Sequence, residues 1–169
     1  PQILDLCAGS GCIGITLALE IPTSTVTMVE KYDEAIRYAI YNIQLNEAIN
    51  ATAMRGDIFD KPDFGENSFD IIVSNPPYVR DSEKALMRTN VLDHEPHLAL
   101  FVSDDDPLVF YRAVARCSAG LLSTEGTGVV EINEAFGRQT AGVFTEAGFN
   151  DVEIIQDLHG RDRFVRYRR

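Results

Sequence analysis

The 169-residue sequence has no tryptophan, only three histidines and only three cysteines. Cys7, Cys12 and Cys117 are odd in number and lack C-x-x-C spacing, which excludes a disulfide framework and a thiolate zinc site. They are read as reduced, packed thiols. No apolar run approaches the ~20 residues of a membrane span, and no signal-like segment precedes the first motif. The expected setting is cytoplasmic, without membrane association. Basic residues are also scarce, 15 against 26 acidic ones, for a net charge of −11. That field repels a phosphate backbone and disfavours direct nucleic-acid binding. Arg161, Arg163, Arg166, Arg168 and Arg169 form the one basic patch, read here as a charged edge strand that discourages pairing with other molecules. The 45% hydrophobic and 24% charged contents are those of an ordinary globular domain, and this length suffices for one core.

The most informative stretch is Phe69-Asp70-Ile71-Ile72-Val73 followed by Ser74-Asn75-Pro76-Pro77-Tyr78. The β-branched run reads as a buried strand, and two prolines must end it, since they offer no N–H to a ladder. Asn75 therefore sits at a strand's carboxyl end, the edge at which open α/β sheets bind ligands. Its side-chain carbonyl and the neighbouring main-chain carbonyls form a fixed set of acceptors suited to a planar NH2 group. Tyr78 offers a ring on which a flat amide or base could stack.

Taken in order, Gln2 to Leu6 reads as a strand, Gly9-Ser10-Gly11 as a turn, and Cys12 to about Glu20 as a helix. Thr25 to Glu30 is a second strand. Asp33 is placed as N-cap of a helix to about Leu45 with Ile36, Ala39, Ile40 and Ile43 on one face. Thr52 to Arg55 and Phe69 to Ser74 are further strands. Residues 79–101 break the pattern and read as a lid or substrate loop. A helix is expected from Pro107 to Leu122, a strand from Gly128 to Ile132 and a helix from Ala135 to Ala147, stopped by Gly148. Two last strands, Asp151 to Gln156 and Arg163 to Tyr167, are joined by the turn Asp157-Leu158-His159-Gly160. This alternation implies an α/β, doubly wound, mostly parallel sheet whose last strand enters antiparallel. The whole chain, 1–169, reads as one domain. Pro1 leads straight into a core strand, so residues upstream are expected.

Gly9-Ser10-Gly11-Cys12-Ile13-Gly14 fits G-x-G-x-x-G, and Glu30 ends the second strand, so a nicotinamide or flavin enzyme is one reading. Asp5 points elsewhere. Three residues, Leu6-Cys7-Ala8, separate it from Gly9, and a carboxylate there repels a pyrophosphate but suits a ligand carrying an ammonium and a sulfonium. S-adenosylmethionine is such a ligand. Glu30 would take its ribose, and Asp57, beside Ile58, would accept from the exocyclic amine of its adenine.

With a methyl sulfonium donor and an NH2 acceptor, the nitrogen's lone pair is conjugated and poorly nucleophilic. Carbonyls of Asn75 and Pro76 would hold both N–H bonds and orient that lone pair at a near-attack distance of about 3–3.5 Å. No nucleophilic triad is needed. His94, Glu95 and His97 provide too few ligands for a metal centre, and Asp104-Asp105-Asp106 reads as a solvated turn.

These residues resemble the class I S-adenosylmethionine-dependent methyltransferases and, within them, the HemK/PrmC-type glutamine N5-methyltransferases of bacterial peptide-chain release factors. The resemblance spans the chain, through Ile3 to Ile13, Gly56-Asp57, Phe69 to Tyr78, Glu95-Pro96-His97-Leu98-Ala99-Leu100-Phe101, and Asp157 to Arg163. Asn-Pro-Pro-Tyr also occurs in adenine N6-methyltransferases of DNA or RNA, the alternative function; the Glu-Pro-x-x-Ala-Leu and Asp-Leu-x-Gly-x-x-Arg stretches narrow the choice. A non-catalytic adenosyl-binding module is the third class. The resemblance implies a Rossmann-like, seven-stranded fold. It places the donor on Asp5, Cys7, Ala8, Gly9, Ser10, Gly11, Glu30, Asp57, Ile58 and Asn75, with S-adenosylhomocysteine as product. Asn75, Pro76, Pro77 and Tyr78 would hold the glutamine of a Gly-Gly-Gln motif in the release factor, the expected partner of a monomeric enzyme. Two departures stand out: Cys7-Ala8-Gly9-Ser10-Gly11 replaces the frequent Gly-Thr-Gly-x-Gly, and Ile58 replaces a frequent aromatic residue. The family's N-terminal helical substrate-recognition domain is absent from this chain.

Overall fold

The computed structural model describes residues 1–60, 62, 64, 68–80, 82 and 101–169. Strands β1 (Gln2–Leu6), β2 (Thr25–Glu30), β3 (Ala51–Arg55), β4 (Phe69–Ser74), β7 (Leu122–Glu131), β8 (Asp151–Gln156) and β9 (Asp162–Arg168) form a sheet in the order β3-β2-β1-β4-β7-β9-β8. The short strands β5 (Val79–Arg80) and β6 (Phe101–Val102) pair in parallel beside it. All neighbours from β3 to β7 are parallel, and β9 runs antiparallel to both β7 and β8. The carboxyl ends of β1, β2, β3, β4, β7 and β8 therefore share one edge.

The central strands are apolar almost throughout because helices cover both faces. Ile3, Val26, Met28 and Ala51 pack with Ile15 and Ala18 of helix α1 (Cys12–Glu20) on one side. On the other, Leu4, Leu6, Ile72, Val130 and Val165 meet Tyr111, Val114 and Cys117 of α3 (Val109–Leu121) and Phe144 of α4 (Gly137–Glu146). Gly128 pairs across the ladder with Tyr167, and a Cβ there would lie 2.0 Å from the tyrosine ring. The missing side chain lets Tyr167 lie over β7, stacked on Phe144 at 4.1 Å and bonded through its hydroxyl to Ser118 at 2.7 Å.

Several expectations need correction. The arginine-rich tail is not an edge strand: β9 lies inside the sheet, and β8 forms the edge. Asp151 faces Arg168 and Glu153 faces Arg166 in the ladder, so carboxylates of β8 balance the arginines, with Arg166–Glu153 at 2.7 Å. Helix α2 (Asp33–Leu45) has Tyr32 at its N-cap, while Asp33 is its first residue and reaches Arg55 at 3.5 Å. Of its apolar face only Ala39 is fully buried, and Ile40 is exposed. Helix α3 starts two residues after Pro107, and α4 is preceded by a 3-10 turn, Glu134–Phe136, capped by Asn133. Cys117 is buried and Cys7 half-buried, but Cys12 is exposed; all three are free. The expected 79–101 loop has its ends in β5 and β6, with Asp104 accepting from Ser82 N at 2.9 Å. Its interior, including His94, Glu95 and His97, lies outside the described residues.

Candidate active site

Strand order brings Asp5, Cys7, Gly9, Glu30, Asp57 and Asn75 to the shared carboxyl edge although up to 70 residues separate them in sequence. The β1 loop turns sharply, with φ of 60° at Cys7, 57° at Gly9 and 85° at Gly11. A left-handed Cys7 is unfavourable for a residue with a Cβ. The turn is held by Ala8 N donating to Val29 O at 3.1 Å, Gly11 N to Ala8 O at 2.9 Å and Asn42 Nδ2 to Ser10 O at 2.9 Å. Gly14 then allows α1 to lie against the sheet, since a Cβ there would meet Met28 Cγ at 2.5 Å.

Asp5 is 1% exposed, and its Oδ2 accepts from Gly14 N at 2.9 Å. Its Oδ1 is buried without a partner among the described residues. Burial, opposed by the Gly14 bond and reinforced by the nearby charge of Glu30, pushes the Asp5 carboxyl up to about 7. An orphaned carboxylate oxygen under a glycine loop fits a cationic ligand group better than a phosphate. Burial and the charges of Glu30 and Asp5 push the Cys7 thiol well above its ordinary value, so it stands as a neutral wall rather than a nucleophile.

Glu30 ties the edge together. Its Oε2 accepts from Gly9 N at 2.9 Å, and its Oε1 from Lys31 N at 2.7 Å and Tyr32 N at 3.0 Å. Carboxylate oxygens accept more than one donor, so capacity for a hydroxyl remains. Asp57 accepts from Phe59 N at 3.0 Å and pairs with Lys31 Nζ at 2.8 Å. Its burial acts to raise the carboxyl, but those bonds outweigh it and hold Asp57 below the usual carboxylate range. Sequence reasoning missed Lys31, whose partner lies one strand away. Ile58 is buried in the core, whereas Phe59 beside it is exposed and lies edge-on to Phe110 at 5.2 Å.

On the acceptor side Asn75 is exposed, and no described residue hydrogen-bonds its side chain. Ser74 fixes the strand end by donating from Oγ to Leu6 O at 2.7 Å. Pro76 is buried; Pro77 and Tyr78 are half-buried. Tyr78 is anchored: its hydroxyl donates to Glu131 Oε1 at 2.8 Å, and its main-chain carbonyl accepts from Asn133 Nδ2 at 3.1 Å. Burial and the Glu131 carboxylate push its hydroxyl well above an ordinary phenol. The described residues contain no group of three or more His, Cys, Asp or Glu able to hold a metal ion, and no helix long and apolar enough to cross a membrane.

The family described as the methyltransferase small domain matches residues 1–100. The release factor glutamine methyltransferase of Flavobacterium psychrophilum is 41% identical over 165 residues, covering 98% of this chain and 57% of the relative. That of Bacteroides thetaiotaomicron is 42% identical over 166 residues, covering 97% and 59%. The chain thus spans somewhat over half the length of these curated relatives. Among solved structures, a SAM dependent methyltransferase from Aquifex aeolicus superposes with a TM-score of 0.67 at 11% identity, covering 98% of this chain and 80% of that one. The seven-stranded sheet with one antiparallel strand is the class I methyltransferase fold. On the family match and the sheet together, the chain belongs to the methyltransferase small domain family.

Proposed function

We infer that this chain, 1–169, is the catalytic domain of a protein-(glutamine-N5) methyltransferase that uses S-adenosylmethionine to methylate the Gly-Gly-Gln glutamine of a bacterial peptide-chain release factor. The observation that carries the reading is the exposed acceptor set of Asn75 beside the buried, half-satisfied Asp5 on one sheet edge. Support for the acceptor class comes from relatives at 41% and 42% identity, both named as release factor glutamine methyltransferases.

The donor fits the residues present. Asp5 Oδ1 would meet the ammonium, the Cys7 to Gly11 loop the methionine portion, Glu30 the ribose, and Asp57 with the main chain of Ile58 the adenine, the Ile58 side chain being committed to the core. When bound, the donor supplies an electrophilic methyl carbon on a sulfonium. The Asn75 side-chain carbonyl and the Pro76 main-chain carbonyl accept both N–H bonds of the glutamine amide and orient its lone pair. Those bonds strengthen as the nitrogen becomes cationic, which is selective transition-state stabilisation. The nitrogen's proton then leaves to water. Pro77 and Tyr78 fix the loop, and the carboxylates of Glu30, Asp57 and Glu131 along this edge disfavour a nucleic-acid phosphate as neighbour.

The test is incubation of the protein with S-adenosylmethionine and, in parallel, a release factor and an adenine-containing oligonucleotide. Methylation of the release factor alone is expected. Methyl on adenine would replace this reading with the nucleic-acid one.

A further inference from the structure

Tyr78 is held at both ends by side chains from elsewhere in the chain. The donors and acceptors form a connected path. Asn133 Nδ2 reaches the Tyr78 carbonyl at 3.1 Å, Asn133 N donates to the buried Tyr111 hydroxyl at 3.0 Å, and Asn133 Oδ1 accepts from Ala135 N at 3.0 Å. Glu131 Oε1 takes the Tyr78 hydroxyl at 2.8 Å and lies 4.0 Å from Arg163 Nη1. Arg163 Nη2 is in turn held by Asp157 Oδ2 at 3.3 Å. Asp157 Oδ1 closes the β8–β9 turn by accepting from His159 N at 2.8 Å and Arg161 N at 3.1 Å.

Tyr78, Glu131, Asn133 and Arg163 each have a partner on a different element, and among the described residues the path runs to the acceptor loop. None of its links reaches the loop from Cys7 to Gly11. Asn133 bonds the main-chain oxygen only two residues beyond Pro76, whose own carbonyl must point at the amide in the functional reading above. A shift of that oxygen by a fraction of an ångström degrades the near-attack geometry.

We propose that Glu131 and Asn133 are positioning residues that set the Asn75 to Tyr78 loop for the acceptor, with Arg163 and Asp157 holding Glu131 in place. The proposal rests on the functional reading for what the loop binds, but not for the geometry of the path. Arg163 lies between the carboxylates of Glu131 and Asp157 and offsets one of their two charges. The Asp157-Leu158-His159-Gly160-Arg161-Asp162-Arg163 stretch gains a role from this: it is a rigid turn that presents Arg163 to Glu131.

The experiment compares wild type with Glu131→Ala, Glu131→Gln and Asn133→Ala. Three readouts are used: steady-state kinetics with a release factor, calorimetric binding of S-adenosylhomocysteine, and NMR of isotope-labelled tyrosine with Tyr78 assigned from Tyr78→Phe. By analogy with loss of orienting groups around ligands, Glu131→Ala and Asn133→Ala lower kcat/KM for the acceptor by roughly 10- to 100-fold. Their S-adenosylhomocysteine affinity stays within about twofold, since the path does not touch the donor loop. Glu131→Gln keeps an acceptor oxygen for Tyr78 and restores most of the activity and the Tyr78 ring resonance. Donor affinity falling in parallel with activity would overturn the proposal, as would a Gln variant no better than Ala. If wild type leaves the release factor unmodified, the functional reading fails; a Tyr78 resonance displaced in Glu131→Ala and restored in Glu131→Gln still supports the path, and one unmoved in either overturns it.

Discussion

Asn75 and Asp5 divide the candidate site's chemistry between them. In the proposed reading the Asn75 side-chain carbonyl accepts from the glutamine amide, and removing it leaves the developing cation less stabilised. Asn75→Ala is expected to lower kcat by roughly 10²–10³ under saturating substrate, as loss of one oxyanion-hole donor does; single-turnover kinetics would measure it. Asp5 predicts a pH dependence. Its folded-state value, about 7, lies above the reference of 3.8. The stability linked to its protonation is therefore present below 3.8 and is lost as pH rises through about 7. Asp5→Asn removes the titrating group, so its thermal midpoint, compared with wild type across that window, should show a flatter fall. A ligand ammonium favours the ionised form, so S-adenosylhomocysteine affinity should rise with pH in wild type up to about pH 8 and stay flat in Asp5→Asn. Calorimetry at several pH values checks both signs.

At the level of elements, α1 and the β7–β9 pair show where backbone approach sets the packing. Gly14→Ala would drive a methyl into Met28 Cγ at 2.5 Å, and Gly128→Ala would meet the Tyr167 ring at 2.0 Å. Neither neighbour is a loose surface side chain. Overpacking of this kind costs about 1–3 kcal/mol, so urea denaturation should place both variants below wild type by that order. Local sequence carried most elements well: the Gln2–Leu6, Thr25–Glu30 and Phe69–Ser74 strands fall where their apolar runs place them. It failed where pairing is decided at long range. Nothing within residues 161–169 shows that Asp151 and Glu153 will lie opposite Arg168 and Arg166, and so an interior strand was read as an edge. The N-cap of α2 was misplaced by one residue because Asp33 is acidic enough to suit either the cap or the first turn.

For the whole molecule, topology accounts for what could not be read from sequence in the site. The placement of Asp5, Glu30, Asp57 and Asn75 together was legible because each lies within two residues of the carboxyl end of a strand that parallel order carries to one edge. Lys31 against Asp57 and Glu131 against Tyr78 were not, because each pair joins residues whose strands or loops become neighbours only on folding. The net charge of −11 acts at this scale too. With carboxylates concentrated on the candidate edge, the protein is expected to leave duplex DNA unbound even at low salt, where phosphate attraction is strongest. Fluorescence anisotropy with a labelled duplex tests this, and salt-sensitive binding would contradict it.

The most direct measurement is fragment-ion mass spectrometry of a release factor after incubation with S-adenosylmethionine and either wild type or Asn75→Ala. The account predicts a single methyl group on the side-chain nitrogen of the Gly-Gly-Gln glutamine with wild type, and its near absence with Asn75→Ala. A methyl group on another residue, or equal modification by the two proteins, would contradict it.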